Sequence, residues 1–389
     1  MKTPLGWKRE IVNNVSVIQT GLAKGKAVST SSVRLPYLRV ANVQDGFLDL
    51  TEIKEIEVEQ SQIERYRLFP GDILLTEGGD RDKLGRGTLW EGQIPLCLHQ
   101  NHIFVVRANE NIIFNKFLAY LFSSPLGKKY FLSCAKQSTN LASINSTQLR
   151  NFPVVFPAIQ EQKAIAAILS TWDEAIEKTE RLIACKERHF GWLVNELIGK
   201  RKAEVSLAEL CPPEEGNKLV KDEEKSLGYL EIGDIDVKTK DYQIDNKDKR
   251  PASGAVKVPA NTLLISTVRP TRGAITRTKS ELYVSSAFCK LRLLNDFYFY
   301  CLYQKKFLNF LKYRQSGATY PTVKDKDILT FKIPVLSEAE QKKIIRILNS
   351  AKHEIDSLEK LSDVYRMQKQ GLMQKLLIGK WRVNFKEEK

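Results

Sequence analysis

One stretch of this chain is written twice. Ile159 to Ser170 reads IQEQKAIAAILS and Glu338 to Asn349 reads EAEQKKIIRILN, so Glu161-Gln162-Lys163 returns as Glu340-Gln341-Lys342 at an offset of 179. Self-similarity at a fixed offset marks a repeated structural unit. The likeness runs on downstream. Leu169, Trp172, Ile176, Thr179, Ile183, Lys186, Phe190, Leu193 and Leu197 step alternately by three and four, and Leu348, Ala351, Ile355, Leu358, Ser362, Tyr365, Lys369, Leu372 and Leu376 do the same at that offset. A step averaging about 3.5 residues over about four heptads is a coiled-coil seam. Both segments close on LIGK, at 197–200 and 377–380, with glycine where a helix ends. A helix of about 40 residues is roughly 60 Å long. So long a helix with a narrow seam needs a partner, and each copy supplies one for the other.

The segments ahead of the two helices correspond more loosely. LPYLRVANV (35–43) parallels LGYLEIGDI (227–235), and FPGDILLT (69–76) parallels VPANTLLI (258–265). GRGTL (85–89) takes the place of TRGAI (271–275), and ASINSTQLRNFPVVFP (142–157) that of PTVKDKDILTFKIPVL (321–336). Short β-branched runs broken by Gly, Pro and Asn read as strands and turns. Helices are predicted at FNKFLAYLF and at DFYFYCLYQKKFLNFL. The fold class is therefore α+β: two pseudo-repeated α/β globules separated by two long helices. The domain division that follows is 1–157, 158–200, 201–336 and 337–389.

A chain of 389 residues, 42% apolar and 28% charged, is long enough for more than one core and has a globular composition. Neither a membrane-spanning run nor a secretory leader is read in it, so a cytoplasmic location is expected. Cysteines 97, 134, 185, 211, 289 and 301 lack paired spacing, which favours reduced thiols. Net charge is +15 and unevenly spread. Lys249 to Lys324 holds 14 Lys and Arg against Glu281 and Asp296, and Arg81 to Phe156 holds nine against three acids. A segmental basic excess points to a polyanionic partner, most often nucleic acid.

Catalytic motifs are few and weak. Gly21-Leu22-Ala23-Lys24-Gly25-Lys26 is one residue short of a phosphate loop and lacks the following Ser or Thr, so it reads as a turn. Cys97, His99 and His102 have no fourth ligand at metal-site spacing, and no metal is expected. Asp45, Glu52 and Lys54 faintly echo a nuclease set but sit in an alternating Lys/Glu surface stretch. No Asn/Asp-Pro-Pro-Tyr/Phe, GxSxG or HExxH motif occurs, and no catalytic residues are assigned.

Two loops in each half suit nucleic acid better. TVRPTRGAITRTK offers Arg269, Thr271, Arg272 and Arg277, and EGGDRDKLGRG offers Arg81, Lys83 and Arg86 in the matching place. Arginine pairs with guanine or phosphate, and threonine hydroxyls favour phosphate. The later loops, KQSTNLASINS and YRQSGATYPTVK, contribute Gln137, Asn140 and Asn145, then Gln315, Thr319, Tyr320 and Lys324. Their amides suit adenine edges.

The paired arrangement resembles the specificity subunit of type I restriction-modification systems. The resemblance rests on Phe156-Pro157, Glu161-Gln162, Ile165 and Leu169, and on Ile333-Pro334, Glu340-Gln341, Ile344 and Leu348, and it covers nearly the whole chain. The second motif departs from the pattern, reading PVLSEAEQ without the usual second proline; proline favours a helix start without being required there. The resemblance implies that each globule is a target recognition domain for one half of a split double-stranded DNA sequence. It implies that the two long helices form an intramolecular antiparallel coiled coil, acting as spacer and docking surface through Glu161, Gln162, Ile165, Leu169, Trp172 and Ile176, and through Glu340, Gln341, Ile344, Leu348, Ile355 and Leu358. It further implies two modification subunits that methylate adenine N6, and two restriction subunits. S-adenosylmethionine, ATP and Mg are expected on those partners and no cofactor on this chain. Two other readings fit the residues: a coiled-coil scaffold binding RNA or acidic proteins, and a nuclease built on Asp45, Glu52 and Lys54.

Overall fold

The computed structural model describes residues 3–23, 31–79, 84–137, 142–218, 227–244 and 250–383. The chain divides into two compact units, Met1–Glu180 with Lys360–Lys389 and Arg181–Glu359. Each holds one globule and part of each long helix, Ile159–Val194 and Glu338–Leu376. The unit boundaries fall inside the helices because the apolar stripe of each helix part is buried in a globule's core.

In the first unit a four-stranded antiparallel sheet runs in the order Ser16–Thr20, Ile103–Ala108, Ile73–Thr76, Gly87–Leu89. All four residues of Ile73–Thr76 are buried, as befits a central strand. A second sheet pairs Lys54–Glu59 with Ser32–Leu38 antiparallel, and Ser32–Leu38 with Leu98–His99 parallel. Lys8–Ile11 pairs with Pro153–Phe156, the strand that leads into the first long helix. The core gathers Trp7, Phe117, Phe122, Phe131 and Phe152 around Ile165 and Leu169 from the first long helix and Met373, Leu376 and Leu377 from the end of the second. Leu169 is completely buried, and its truncation to alanine costs about 2–5 kcal/mol.

The second unit repeats this plan. Thr262–Ser266 lies between Ile275–Arg277 and Phe288–Arg292, Tyr229–Leu230 pairs parallel with Leu282–Val284, and Val205–Ser206 pairs with Lys332–Ile333. Its core joins Leu263, Ile265, Phe297 and Phe307 to Ile183 and Phe190 of the first long helix and Ile344, Leu348 and Ile355 of the second.

Within the first unit Trp172 packs edge-on against Tyr365, Asp173 pairs with Lys369 and Glu180 with Arg366; within the second, Lys186 pairs with Glu354 at 2.6 Å. The ion pairs run from Asp173 with Lys369 through Glu180 with Arg366 to Lys186 with Glu354, partner numbers falling as residue numbers rise, so the helices run antiparallel. No seam position on either helix is exposed, which is the coiled coil that the spacing demands. Gly379 closes the second helix with φ +67°. The first ends differently, in a π-helical turn at Asn195–Gly199.

Two local expectations change. DFYFYCLYQKKFLNFL forms two helices, Asp296–Cys301 and Lys305–Arg314, because Gln304 turns extended and donates from Nε2 to Cys301 O at 3.1 Å. The matching helix Pro125–Cys134 was not read from the sequence. It starts on the Ser124 cap, and Gly127 approaches Phe122 O so closely that an added Cβ would stand 2.2 Å away.

Candidate nucleic-acid interface

The two basic and polar loops of each half meet through backbone pairing. In the first unit Gly78–Gly79 pairs with Ala142–Ser143, which pairs with Lys136–Gln137. In the second, Val268 and Ser316 both bridge to Thr322, and Arg269 N donates to Pro321 O at 2.7 Å. The root is the same in both. Glu77 N donates to His102 O and Thr267 N to Ala287 O, while Ile144 N donates to Glu77 O and Val323 N to Thr267 O. Each unit therefore presents one composite surface.

The sequence pairing of GRGTL with TRGAI is out of register by two. Gly85 (φ +65°) and Gly273 (φ +75°) are the equivalent positions, followed by Arg86 O accepting from Thr76 N and Ala274 O accepting from Ser266 N. Left-handed backbone favours glycine at both, and Gly87 matches Ile275 instead.

Arg81, Lys83 and Asn140 lie outside the described residues, and Gln137 is placed by its backbone alone. Arg86 is half-buried and gives Nη1 to Gln44 Oε1 at 2.5 Å. Asn145 caps the helix Ser146–Arg150, its side-chain oxygen accepting from Gln148 N at 2.9 Å. In the second unit Thr271, Arg272, Thr319, Tyr320 and Lys324 are exposed and Gln315 half-buried. Arg269 has a left-handed backbone, φ 47° and ψ 52°, and its guanidinium lies 5.2 Å from the centre of the Tyr320 ring. Arg277 stands apart: it is ion-paired with Asp296 and packs against Phe299. A residue missed in the sequence is Lys240, whose Nζ donates to Gly273 O and Val237 O, both at 2.8 Å. Burial lowers its pKa. It braces the loop from below, and a lysine in a surface turn carries no sequence signal for that role.

The frame residues follow a reciprocal logic. Gln162 is fully buried; its Oε1 accepts from Phe114 N at 2.7 Å, and Nε2 donates to Ile112 O and Pro157 O. Gln341 does likewise, accepting from Asn295 Nδ2 at 2.7 Å and donating to Leu336 O. Tyr120 donates to Asp173 at 2.6 Å and lies 3.1 Å from Ser170, while Tyr300 donates to Asn349, the residue 179 after Ser170. Burial pushes the Tyr300 hydroxyl up to about 12. Glu161 forms a bidentate pair with Arg382 at 2.7 and 2.8 Å, and Glu340 lies 3.9 Å from Arg201. Each arginine follows the LIGK of the opposite repeat, so the end of one helix docks on the start of the other.

Of the twelve frame residues, only Glu340 is exposed. Ile165, Leu169, Ile344, Leu348 and Ile355 are buried, and Trp172, Ile176 and Leu358 partly so. They pack into the two cores and along the helix seam. The outward faces carry other apolar residues. On the first helix these are Leu182 and Trp192, with His189 stacked on Trp192; on the second they are Leu361, Val364 and Met367.

The weak catalytic echoes disperse. Asp45 pairs with Lys128, and Glu52 with Arg39 and Lys54, the Arg39 hydrogen bond and charge holding the Glu52 carboxyl below its usual range. His99 Nδ1 donates to Ile103 O at 3.1 Å, whereas His102 faces Glu77. Among the described residues no cluster of three or more His, Cys, Asp or Glu is placed to hold a metal, and no helix is long and apolar enough to cross a membrane.

A sequence profile for the type I restriction modification DNA specificity domain matches residues 4–185 and 200–364. The chain belongs to this family. It is similar to the putative type I restriction enzyme MjaX specificity subunit of Methanocaldococcus jannaschii, 26% identical over 98% of this chain and 95% of that one. The type I restriction enzyme EcoKI specificity subunit of Escherichia coli K12 is also 26% identical, over 39% of this chain and 33% of its own length. Among solved structures, a chain from work on assembly and conformational transition of the type I restriction-modification system aligns over 98% of this chain and all of its own, with a TM-score of 0.58 at 16% identity. The type I S subunit of M. genitalium aligns over 99% of both, with a TM-score of 0.55 at 16% identity. These two share the fold. As a specificity subunit the chain is noncatalytic, and DNA target recognition within a restriction-modification complex is its role.

Proposed function

We propose that each unit reads one half-site of a bipartite DNA target, and that the helix pair sets the gap between them. The observation that carries this is the same two-loop surface, on the same backbone scaffold, in both units. What differs between the surfaces is the side chains: Gly78–Gly79 stands where the second unit has Val268 and Arg269. One scaffold with two sets of side chains suits two sequences. Two modification subunits, carrying S-adenosylmethionine for adenine N6 methylation, dock on the outward helix faces at Leu182 and Trp192 and at Leu361 and Val364. Exposed apolar stripes of this kind fit partner helices. Two restriction subunits using ATP and Mg complete the assembly, in the cytoplasm, and the segments 1–157 and 201–336 serve as the target recognition domains.

The test is binding of duplex DNA by the chain assembled with its modification subunit, measured across salt concentration. Affinity falls steeply as salt rises, by about one counterion per phosphate neutralised, and single-stranded RNA competes poorly. Equal binding of RNA, or affinity indifferent to salt, contradicts the reading.

A further inference from the structure

We propose that Arg269, stacked on Tyr320, is the guanine-reading residue of the second unit. This rests on the reading of that unit as one half-site reader and goes beyond it, because it names the base and the side chain.

Three observations taken together separate Arg269 from the other described arginines. First, its backbone is left-handed although it is not glycine, and it precedes Pro270, a position sterically biased toward extended conformations. Such strain persists only where the surroundings over-determine it, and it clusters at functional sites. Here the hydrogen bond from Arg269 N to Pro321 O holds it. Second, the guanidinium lies over the ring of Tyr320, which is itself 65% exposed. Contact with the ring restricts where the guanidinium can lie. Third, among the described residues no carboxylate lies within ion-pairing distance of Arg269. Arg107, Arg277, Arg292 and Arg382 are paired with Asp72, Asp296, Glu214 and Glu161.

A phosphate contact does not demand this construction, since a flexible, unstacked arginine or lysine neutralises phosphate from many directions. Guanine does demand it. Its O6 and N7 accept two parallel hydrogen bonds in the major groove from a planar donor in fixed orientation. Adenine presents a donor beside N7, which a donor-only guanidinium cannot satisfy. The matching position of the first unit is Gly79, so this contact belongs to one half-site alone.

The experiment maps methylated adenines in DNA from cells expressing the chain with its modification subunit, for the natural chain and for R269K, R269G and Y320L. R269G keeps the fold testable, because glycine relieves the left-handed strain while removing the guanidinium. The expected result is that one G·C position in one half-site becomes degenerate in R269G and R269K, with about 10-fold or more lost discrimination. Y320L blurs the same position less, and the other half-site is unchanged. An unaltered motif in all three variants overturns the proposal. So does a uniform loss of methylation with a salt slope reduced by about one, because that marks a phosphate contact. Relaxation at an A·T position overturns it as well. A continuous, unsplit motif in the natural chain defeats the two-reader arrangement by itself, and the single-position readout for Arg269 is still scored on that motif.

Discussion

The two units share a frame and differ in how tightly it is held. The glutamine of the repeated Glu-Gln pair anchors the helix start in both, but Gln162 is sealed in the core with three hydrogen bonds whereas Gln341 has two and is 8% exposed. The preceding glutamate is a buried bidentate partner in the first unit and an exposed cap on Ser337 in the second. At the parallel strand pair Leu38 lies beside His99, and Leu230 beside Val284. An identical motif in sequence thus takes different energetic weight according to what the globule places around it.

Gln162 and Gln341 give the largest contrast. Q162L leaves the Phe114 N–H and two carbonyls without partners, lowering the stability of the first unit by about 3–5 kcal/mol, while Q341L costs the second about 2 kcal/mol. Hydrogen exchange resolved by unit checks both. Equal losses would remove the contrast.

His99 follows. Burial lowers its pKa to about 4, so between about 6.5 and 4 the unfolded chain binds a proton that the folded chain refuses. Stability present above the unfolded value is therefore lost as pH falls through that window, by about 3 kcal/mol at its acid end. H99V, which installs the residue found at the matching position of the second unit, flattens this component of the pH dependence in the first unit. An unchanged acid profile in H99V refutes the assignment.

Smaller still is the glutamate pair. E161Q weakens the buried bidentate contact to Arg382 and costs about 1–2 kcal/mol, whereas E340Q, on an exposed group, moves thermal unfolding of the second unit little. A larger loss from E340Q would reverse the order of the two units.

Much of the frame was legible in the sequence, because a heptad seam and a motif recurring at a fixed offset are local patterns that helix geometry dictates. The seam residues Leu169 to Leu197 and their counterparts all turn inward as their spacing required. The meeting of both loops in each half was foreshadowed only by the recurrence of a basic and a polar loop in each half. What escaped was long-range. Nothing local announces that Arg382 reaches Glu161, or that Tyr120 and Tyr300 find residues 170, 173 and 349, since these contacts depend on how helices return past one another. The two-residue slip at Gly85 and Gly273 has the same origin: identical letters were matched where backbone conformation decides. Asn145 illustrates a further limit. An asparagine ahead of Ser146 reads as a base reader from its amide alone, and its role as a helix cap emerges only with the Gln148 amide three residues on.

The account's central claim is that a repeated frame carries two independent readers. It is tested most directly by mapping methylated adenines in DNA modified by the chain with its modification subunit. Two short half-sites around a gap of fixed length and no sequence preference are predicted. A single uninterrupted motif would contradict the claim.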